Sequence, residues 1–86
     1  MKDVQKNEII FKICYTDLVY DRINKKLKMH LSKKEIEEFI MNIILDAEES
    51  NFVQKGKNIY ITNTNHSIRL TVNINTIRLI TADKLK

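Results

Sequence analysis

The sequence predicts a two-layer α+β fold, in which two or three N-terminal helices pack on one face of a three-stranded antiparallel β-meander. Two patterns support this prediction. Apolar residues recur at helical spacing in the first half of the chain, about residues 1–51, and alternate with polar residues in the second half, about residues 52–86. A chain of 86 residues is the size of one small domain, so we expect residues 1–86 to form a single unit.

The first segment, residues 4–15, is compatible with a helix or with a short strand. Its polar start is rich in good helix formers, which favours the helix. If the segment were a strand, the order of elements would be β-α-α-β-β-β.

Two further helices are predicted between residues 16 and 47. Thr16 is a suitable N-cap for the first of them. The apolar stripe of that helix consists of Leu18, Val19, Ile23 and Leu27. Ser32 and Glu35 form a capping box at the start of the second helix. One face of the second helix is apolar: Ile36, Phe39, Ile40, Ile43, Ile44 and Ala47. Met41 and Leu45 widen this stripe beyond what one small sheet can cover, which favours a homodimer.

Residues 56–82 contain three alternating segments joined by two short polar turns, which predicts three strands. Gly56 breaks the preceding helical pattern. Two-residue loops at residues 64–65 and 74–75 align every inward side chain into one aliphatic face. The predicted pairs are Ile61 with Ile68, Ile59 with Leu70, Val72 with Ile77, and Leu70 with Leu79. The residues after Ala82 are interpreted as a polar tail.

The same predicted register arranges the opposite face of the sheet in rows. One row holds Tyr60, Arg69 and Ile80, and the next holds Asn58, Thr71 and Arg78. Two arginines around a tyrosine are suited to binding a phosphate, a carboxylate or an aromatic group. The candidate partner-binding residues are therefore Tyr60, Arg69, Thr71, Arg78, Lys55 and Lys57. An ordinary solvated sheet face is an equally good interpretation of this pattern.

Basic residues are concentrated in the sheet half. Residues 1–51 contain nine Lys/Arg and ten Asp/Glu, whereas residues 52–86 contain six Lys/Arg and only Asp83. The two halves therefore carry charges of −1 and +5. A field of this size permits nucleic acid as a partner without requiring it.

Few residues suggest catalysis or metal binding. Cys14 is the only cysteine, which excludes an internal disulfide, and we expect it to be a small buried core residue. His30 and His66 lack partners at metal-ligand spacing, and His66 is interpreted as a turn residue rather than a catalytic base. We expect no cofactor and no metal, and we favour a protein that is not an enzyme. Without a long apolar run or a leader pattern, we expect a cytoplasmic protein with no membrane partner.

Three stretches resemble a family of small bacterial and phage proteins catalogued only as a domain of unknown function. These are ICYTDLVYDRINKKL at residues 13–27, GKNIY at residues 56–60 and NTIRLITADKL at residues 75–85. The resemblance implies a stand-alone protein of this size in low-GC bacteria and their mobile elements. It implies no catalytic residues.

The favoured hypothesis is a non-catalytic binding protein that docks on a host protein or ribonucleoprotein complex. Its most concrete form is a phage or mobile-element inhibitor of a host defence complex, of the anti-CRISPR kind. The docking surface is then either the polar sheet face or the acidic side of the second helix, the one that begins at Ser32. One alternative is a metal-independent ribonuclease toxin, since the order with a first strand is similar to that of RelE/ParE-type toxins. Another alternative is a small nucleic-acid-binding regulator that uses the basic sheet half.

Overall fold

The computed structural model describes residues 6–85 of the chain. Its helices are α1 (Lys6–Lys12), α2 (Asp17–Leu27) and α3 (Lys33–Asp46), followed by a 3₁₀ turn at Glu49–Asn51. Its strands are β1 (Phe52–Lys55), β2 (Asn58–Asn63), β3 (Ile68–Asn73) and β4 (Leu79–Lys84). They form one antiparallel sheet in the order β1-β2-β3-β4. The α+β class and the meander are confirmed, but the sheet has four strands rather than three.

The first segment is helical over residues 6–12, as favoured, whereas its predicted residues 4 and 5 lie outside the described part of the chain. After α1 the backbone of Cys14 forms a parallel bridge with Arg78. Cys14 N–H donates to the Ile77 carbonyl at 3.0 Å, and Leu79 N–H donates to the Cys14 carbonyl at 3.0 Å. The prediction of a buried Cys14 is wrong, since its backbone pairs with the sheet while the residue is exposed.

The helix caps explain where α2 and α3 begin and end. The Ser32 hydroxyl accepts from the Glu35 N–H, and the Glu35 carboxylate accepts from the Ser32 N–H, so the capping box is confirmed. Thr16 occupies the N-cap position of α2 without a side-chain capping hydrogen bond, and Lys28 ends that helix in the left-handed conformation. Leu18, predicted in the apolar stripe of α2, is 75% exposed and lies outside the buried core.

The hydrophobic core lies between the helices and one face of the sheet, here called the inner face. From the helices it receives Ile9, Val19, Ile23, Leu27, Ile36, Ile40, Ile43, Ile44 and Ala47. The strands contribute Ile59, Ile61, Ile68, Leu70, Val72, Leu79 and Ala82, with Ile77 from the turn before β4. Most of these side chains are aliphatic and β-branched, which suits a pleated surface packed against helices. The predicted aliphatic face is therefore confirmed.

The predicted strand register is wrong at both hairpins. At the first, Ile61 pairs with Leu70 and Ile59 with Val72, because four residues rather than two connect β2 and β3. This difference moves the pairing by two residues, and an even shift keeps the same side chains on the inner face.

At the second hairpin the turn is longer, and Ile77 adopts a positive φ of 54°. Val72 therefore pairs with Leu79, and a bulge next to this pair makes Leu70 pair with Ala82. The predicted polar tail is wrong as well, since β4 continues to Lys84. Among residues 6–85, no helix has the length and apolar character that crossing a membrane requires.

Candidate functional site

The face of the sheet opposite the core, here called the outer face, carries most of the candidate residues. Strand register places these side chains on it: Val53, Lys55, Asn58, Tyr60, Thr62, Arg69, Thr71, Asn73, Thr81 and Asp83. They alternate with the inner-face residues along each strand, because successive strand side chains point to opposite sides. The outer face is thus polar and basic next to an aliphatic core.

A cleft of about 400 Å³ lies on the outer face where β1, β2 and β3 meet. It is lined by Val53, Lys55, Tyr60, Thr62 and Arg69, and we call it the basic cleft. The Arg69 guanidinium carbon lies 5.7 Å from the centre of the Tyr60 ring, which is within cation–π distance. A guanidinium lying over a ring keeps its N–H groups available around its edge. The basic cleft therefore presents a forked donor beside the Lys55 ammonium.

The structure brings together three of the six predicted partner-binding residues, namely Lys55, Tyr60 and Arg69. Lys57 lies in the β1–β2 turn and is exposed. Thr71 sits beside Tyr60 on the outer face but is only 7% exposed, since Tyr60 and Thr81 flank it. Neither Thr71 nor Lys57 therefore belongs to the lining of the basic cleft.

Arg78 does not join Arg69, and the predicted pair of arginines is wrong. The longer second hairpin puts Thr81, not Arg78, opposite Thr71. Arg78 precedes β4 and lines a separate groove of about 310 Å³ together with Leu18 and Arg22 of α2. The two predicted outer-face rows are replaced by a row of Val53, Tyr60, Thr71 and Thr81 and a row of Thr62, Arg69 and Asp83.

A polar network at the β2–β3 turn was not predicted. Asn63 is 2% exposed, and its amide donates to the Ile43 carbonyl at 3.0 Å and to Asp46 Oδ2 at 3.1 Å. The Asn65 amide donates to the same carboxylate oxygen at 3.1 Å. Hydrogen bonds from Asn65 and from Asn63 hold the pKa of Asp46 below its usual value. The network fastens the β2–β3 turn to the C-terminal end of α3.

His66 belongs to this network and not to the basic cleft. Its Nδ1 lies 3.5 Å from Asp46 Oδ2 and 3.3 Å from Asn63 Oδ1. One sequence signal could have revealed the network: strand alternation places Asn63 inward with Ile59 and Ile61, where a polar side chain needs partners. Within residues 6–85, no group of three or more His, Cys, Asp or Glu side chains could hold a metal ion.

Comparison with known proteins gives one match. A family model described as a protein of unknown function (DUF3781) matches residues 7–83. The match covers nearly the whole chain and omits only the first residue of α1 and the last residue of β4 from the helices and strands. No curated protein and no solved structure matches the chain.

Proposed function

We propose that this chain, which belongs to the DUF3781 family of proteins of unknown function, is a non-catalytic binding protein. It docks on an acidic surface of a protein partner through the basic cleft. The observation that carries the proposal is the arrangement of Arg69 over the Tyr60 ring beside Lys55, on a sheet face that the helices leave open.

The chemistry of the cleft suits a carboxylate. An arginine fork can donate two parallel hydrogen bonds to one carboxylate, and such charge-assisted bonds are about twice as strong as neutral ones. The Tyr60 ring limits the orientations open to Arg69, which lowers the entropy lost when a ligand binds. Lys55 adds a second cation, and Val53 supplies apolar contact area at the same cleft.

The charge pattern favours a protein over a nucleic acid. A nucleic-acid strand is best held by a continuous track of cations with several aromatic rings. The outer-face row that contains Arg69 also contains Asp83, whose Oδ1 lies 2.8 Å from Lys26 Nζ. Tyr60 is the one aromatic side chain in the cleft lining. A cleft of about 400 Å³ accommodates one or a few side chains of a partner surface.

The ribonuclease alternative is less well supported. Its topological argument requires a strand in the first segment, and residues 6–12 form a helix. A metal-independent ribonuclease also needs a general base near its cationic side chains. His66 instead contacts Asp46 at the α3 end of the sheet.

Two matched arginine variants test the docking site. Tagged protein is used to capture partners from a lysate of a low-GC bacterium, and the captured proteins are quantified by mass spectrometry. We expect Arg69→Ala to reduce capture of the principal partner by about tenfold or more, because the carboxylate loses its forked donor. Arg78→Ala removes another exposed arginine, one that lines the separate groove, and is the control, with capture unchanged. Equal losses in both variants would contradict the proposal.

Fluorescence anisotropy with labelled RNA and duplex DNA separates the protein partner from a nucleic acid. The titration is made at low salt and near physiological salt, because phosphate contacts weaken steeply as salt rises. We expect no binding near physiological salt. Tight, salt-dependent binding that Arg69→Ala abolishes would instead support the nucleic-acid-binding regulator.

The biological setting that we propose is inhibition of a host defence complex by a protein carried on a mobile element, of the anti-CRISPR kind. Such an inhibitor acts by occupying a surface, for which a small domain with one open charged face is sufficient. The test is the plating efficiency of a targeted phage on a host with an active CRISPR system. We expect wild type and Arg78→Ala to restore plating and Arg69→Ala to fail. If wild-type protein does not restore plating, the setting is wrong while the docking site stands.

A further inference from the structure

The two edge strands of the sheet differ in whether another segment lies against them. The open edge, that of β1, is suited to pairing with a second copy of this chain. Among the described residues, no segment pairs with the outer edge of β1. Val53, Gln54 and Lys55 are exposed, with Val53 at 46%. An exposed edge strand is a template for pairing with another strand.

The direction of the unpaired backbone groups follows from the turn. Residues 56 and 57 form a two-residue turn, closed by the pair Lys55 and Asn58. The closing pair of such a turn is hydrogen-bonded, and hydrogen-bonded pairs alternate along an antiparallel ladder. Val53 is therefore bonded to Tyr60, while the backbone groups of Phe52 and Gln54 point away from β2. The Phe52 N–H is already bonded to the Glu49 carbonyl.

We propose that two copies pair their β1 strands antiparallel about a two-fold axis through Val53, joining two sheets into one. In this register the Gln54 N–H of each copy donates to the Phe52 carbonyl of the other. The two Val53 side chains face each other on the outer face, where side chains of a non-hydrogen-bonded pair are closest. Each Val53 side chain is thus shielded from solvent by the Val53 side chain of the other copy.

The charges that flank β1 select this antiparallel arrangement. Glu48 and Glu49 precede the strand, and Lys55 and Lys57 follow it. With Val53 opposite its copy, the turn that carries Lys57 in one chain lies on the side of the other chain's acidic segment, so acidic and basic ends meet. A register centred on Gln54 instead brings the two Lys55 ammonium groups to diagonal positions, where like charges repel.

The pairing of two β1 strands also has a consequence for the basic cleft, and this consequence rests on the proposed function. Val53 and Lys55 line both the β1 edge and the basic cleft. Two copies would therefore present two basic clefts side by side on one continuous outer face. A partner with two acidic patches would gain affinity from this bivalency.

The mass in solution tests the proposal without any partner, so its outcome is independent of the docking assay. Light scattering at micromolar concentration should give about twice the 10.2 kDa of one chain. Gln54→Pro removes the intermolecular donor, and proline is tolerated on an edge strand whose N–H points outward. We expect Gln54→Pro to be monomeric with an unchanged circular dichroism spectrum and Gln54→Thr, its control, to remain dimeric.

Charge reversal provides a second test that does not involve proline. Lys57→Glu and Glu49→Lys should each weaken the dimer by about tenfold, because each brings like charges together across the axis. The double variant should restore the wild-type dissociation constant. A monomeric wild type would overturn the proposal. A dimer that persists in both the Gln54→Pro and the charge-reversal variants would overturn it as well. If Leu45→Lys dissociated the dimer and those variants did not, the interface would lie on α3.

Discussion

The two edge strands of the sheet, β1 and β4, differ in what lies against them. At the β4 edge, the backbone of Cys14 pairs with residues 77–79, and Arg22 of α2 donates to the Ile80 carbonyl at 3.2 Å. Lys26 of α2 contacts Asp83 at 2.8 Å. At the β1 edge, the part of the chain that the structure describes provides no such cover.

The difference shows how a chain of this size divides its surface between stability and binding. Covering an edge uses side chains of α2 and the segment before it, and the buried residues Val19, Ile23 and Leu27 hold that helix in place. The open edge lies next to the basic cleft through Val53 and Lys55. The covered edge thus contributes to the core, and the open edge remains available for other molecules.

The largest expected effect comes from weakening the covered edge. Ile23→Ala removes a fully buried side chain of α2 and should lower the free energy of unfolding by about 2–5 kcal/mol. Val53→Ala at the open edge should change it by no more than about 0.5 kcal/mol, since Val53 is 46% exposed. Urea denaturation followed by circular dichroism measures both variants.

The protein concentration in that comparison must be low enough for the monomer to predominate, because dimer formation adds to apparent stability. If Val53→Ala destabilised the monomer as much as Ile23→Ala, the open edge would be part of the core and the contrast would be wrong. If the loss of stability caused by Val53→Ala increased with protein concentration, this would instead indicate the proposed β1 pairing.

The elements that were predictable from sequence are those in which local pattern and packing agree. The capping box at Ser32 and Glu35 and the apolar spacing of α3 identify that helix without tertiary information. The alternation in β2 and β3 identifies their inner faces equally well. In contrast, β1 has four residues, three of them exposed, and only its pairing with β2 makes it a strand.

The register was not predictable, because it depends on turn conformations without a clear sequence signal. Ser67 and Ile77 adopt φ values of 55° and 54°, which non-glycine residues rarely take. An even shift at the first hairpin left Tyr60 and Arg69 on the predicted face. The longer second hairpin and its bulge removed Arg78 from the outer face, so Lys55, Tyr60 and Arg69 lie together as expected whereas Arg78 does not lie with them.

A smaller effect, and one confined to the covered side, is expected at alkaline pH. The hydroxyl of Tyr20 on α2 donates to the Glu37 carboxylate of α3 at 2.6 Å. Desolvation, followed by the hydrogen bond to Glu37 and its charge, raises the pKa of Tyr20 to about 12 from its ordinary value of 10.0. Because the folded protein favours the neutral phenol, this contribution to stability is complete below pH 10 and is lost as the pH rises towards 12.

Burial, with the charge of Glu37 next, raises the pKa of neighbouring Tyr15 as well, and the two rings lie 5.8 Å apart. Urea midpoints measured between pH 9 and 12 should therefore fall for the wild type and fall less for Tyr20→Phe. The matched variant Glu37→Gln keeps a hydrogen-bond acceptor without the negative charge. Its urea midpoint should also fall less than that of the wild type over this pH range. If both variants lost stability as steeply as the wild type, the contact between α2 and α3 would not be what alkaline pH weakens, and the sensitivity would lie elsewhere in the fold.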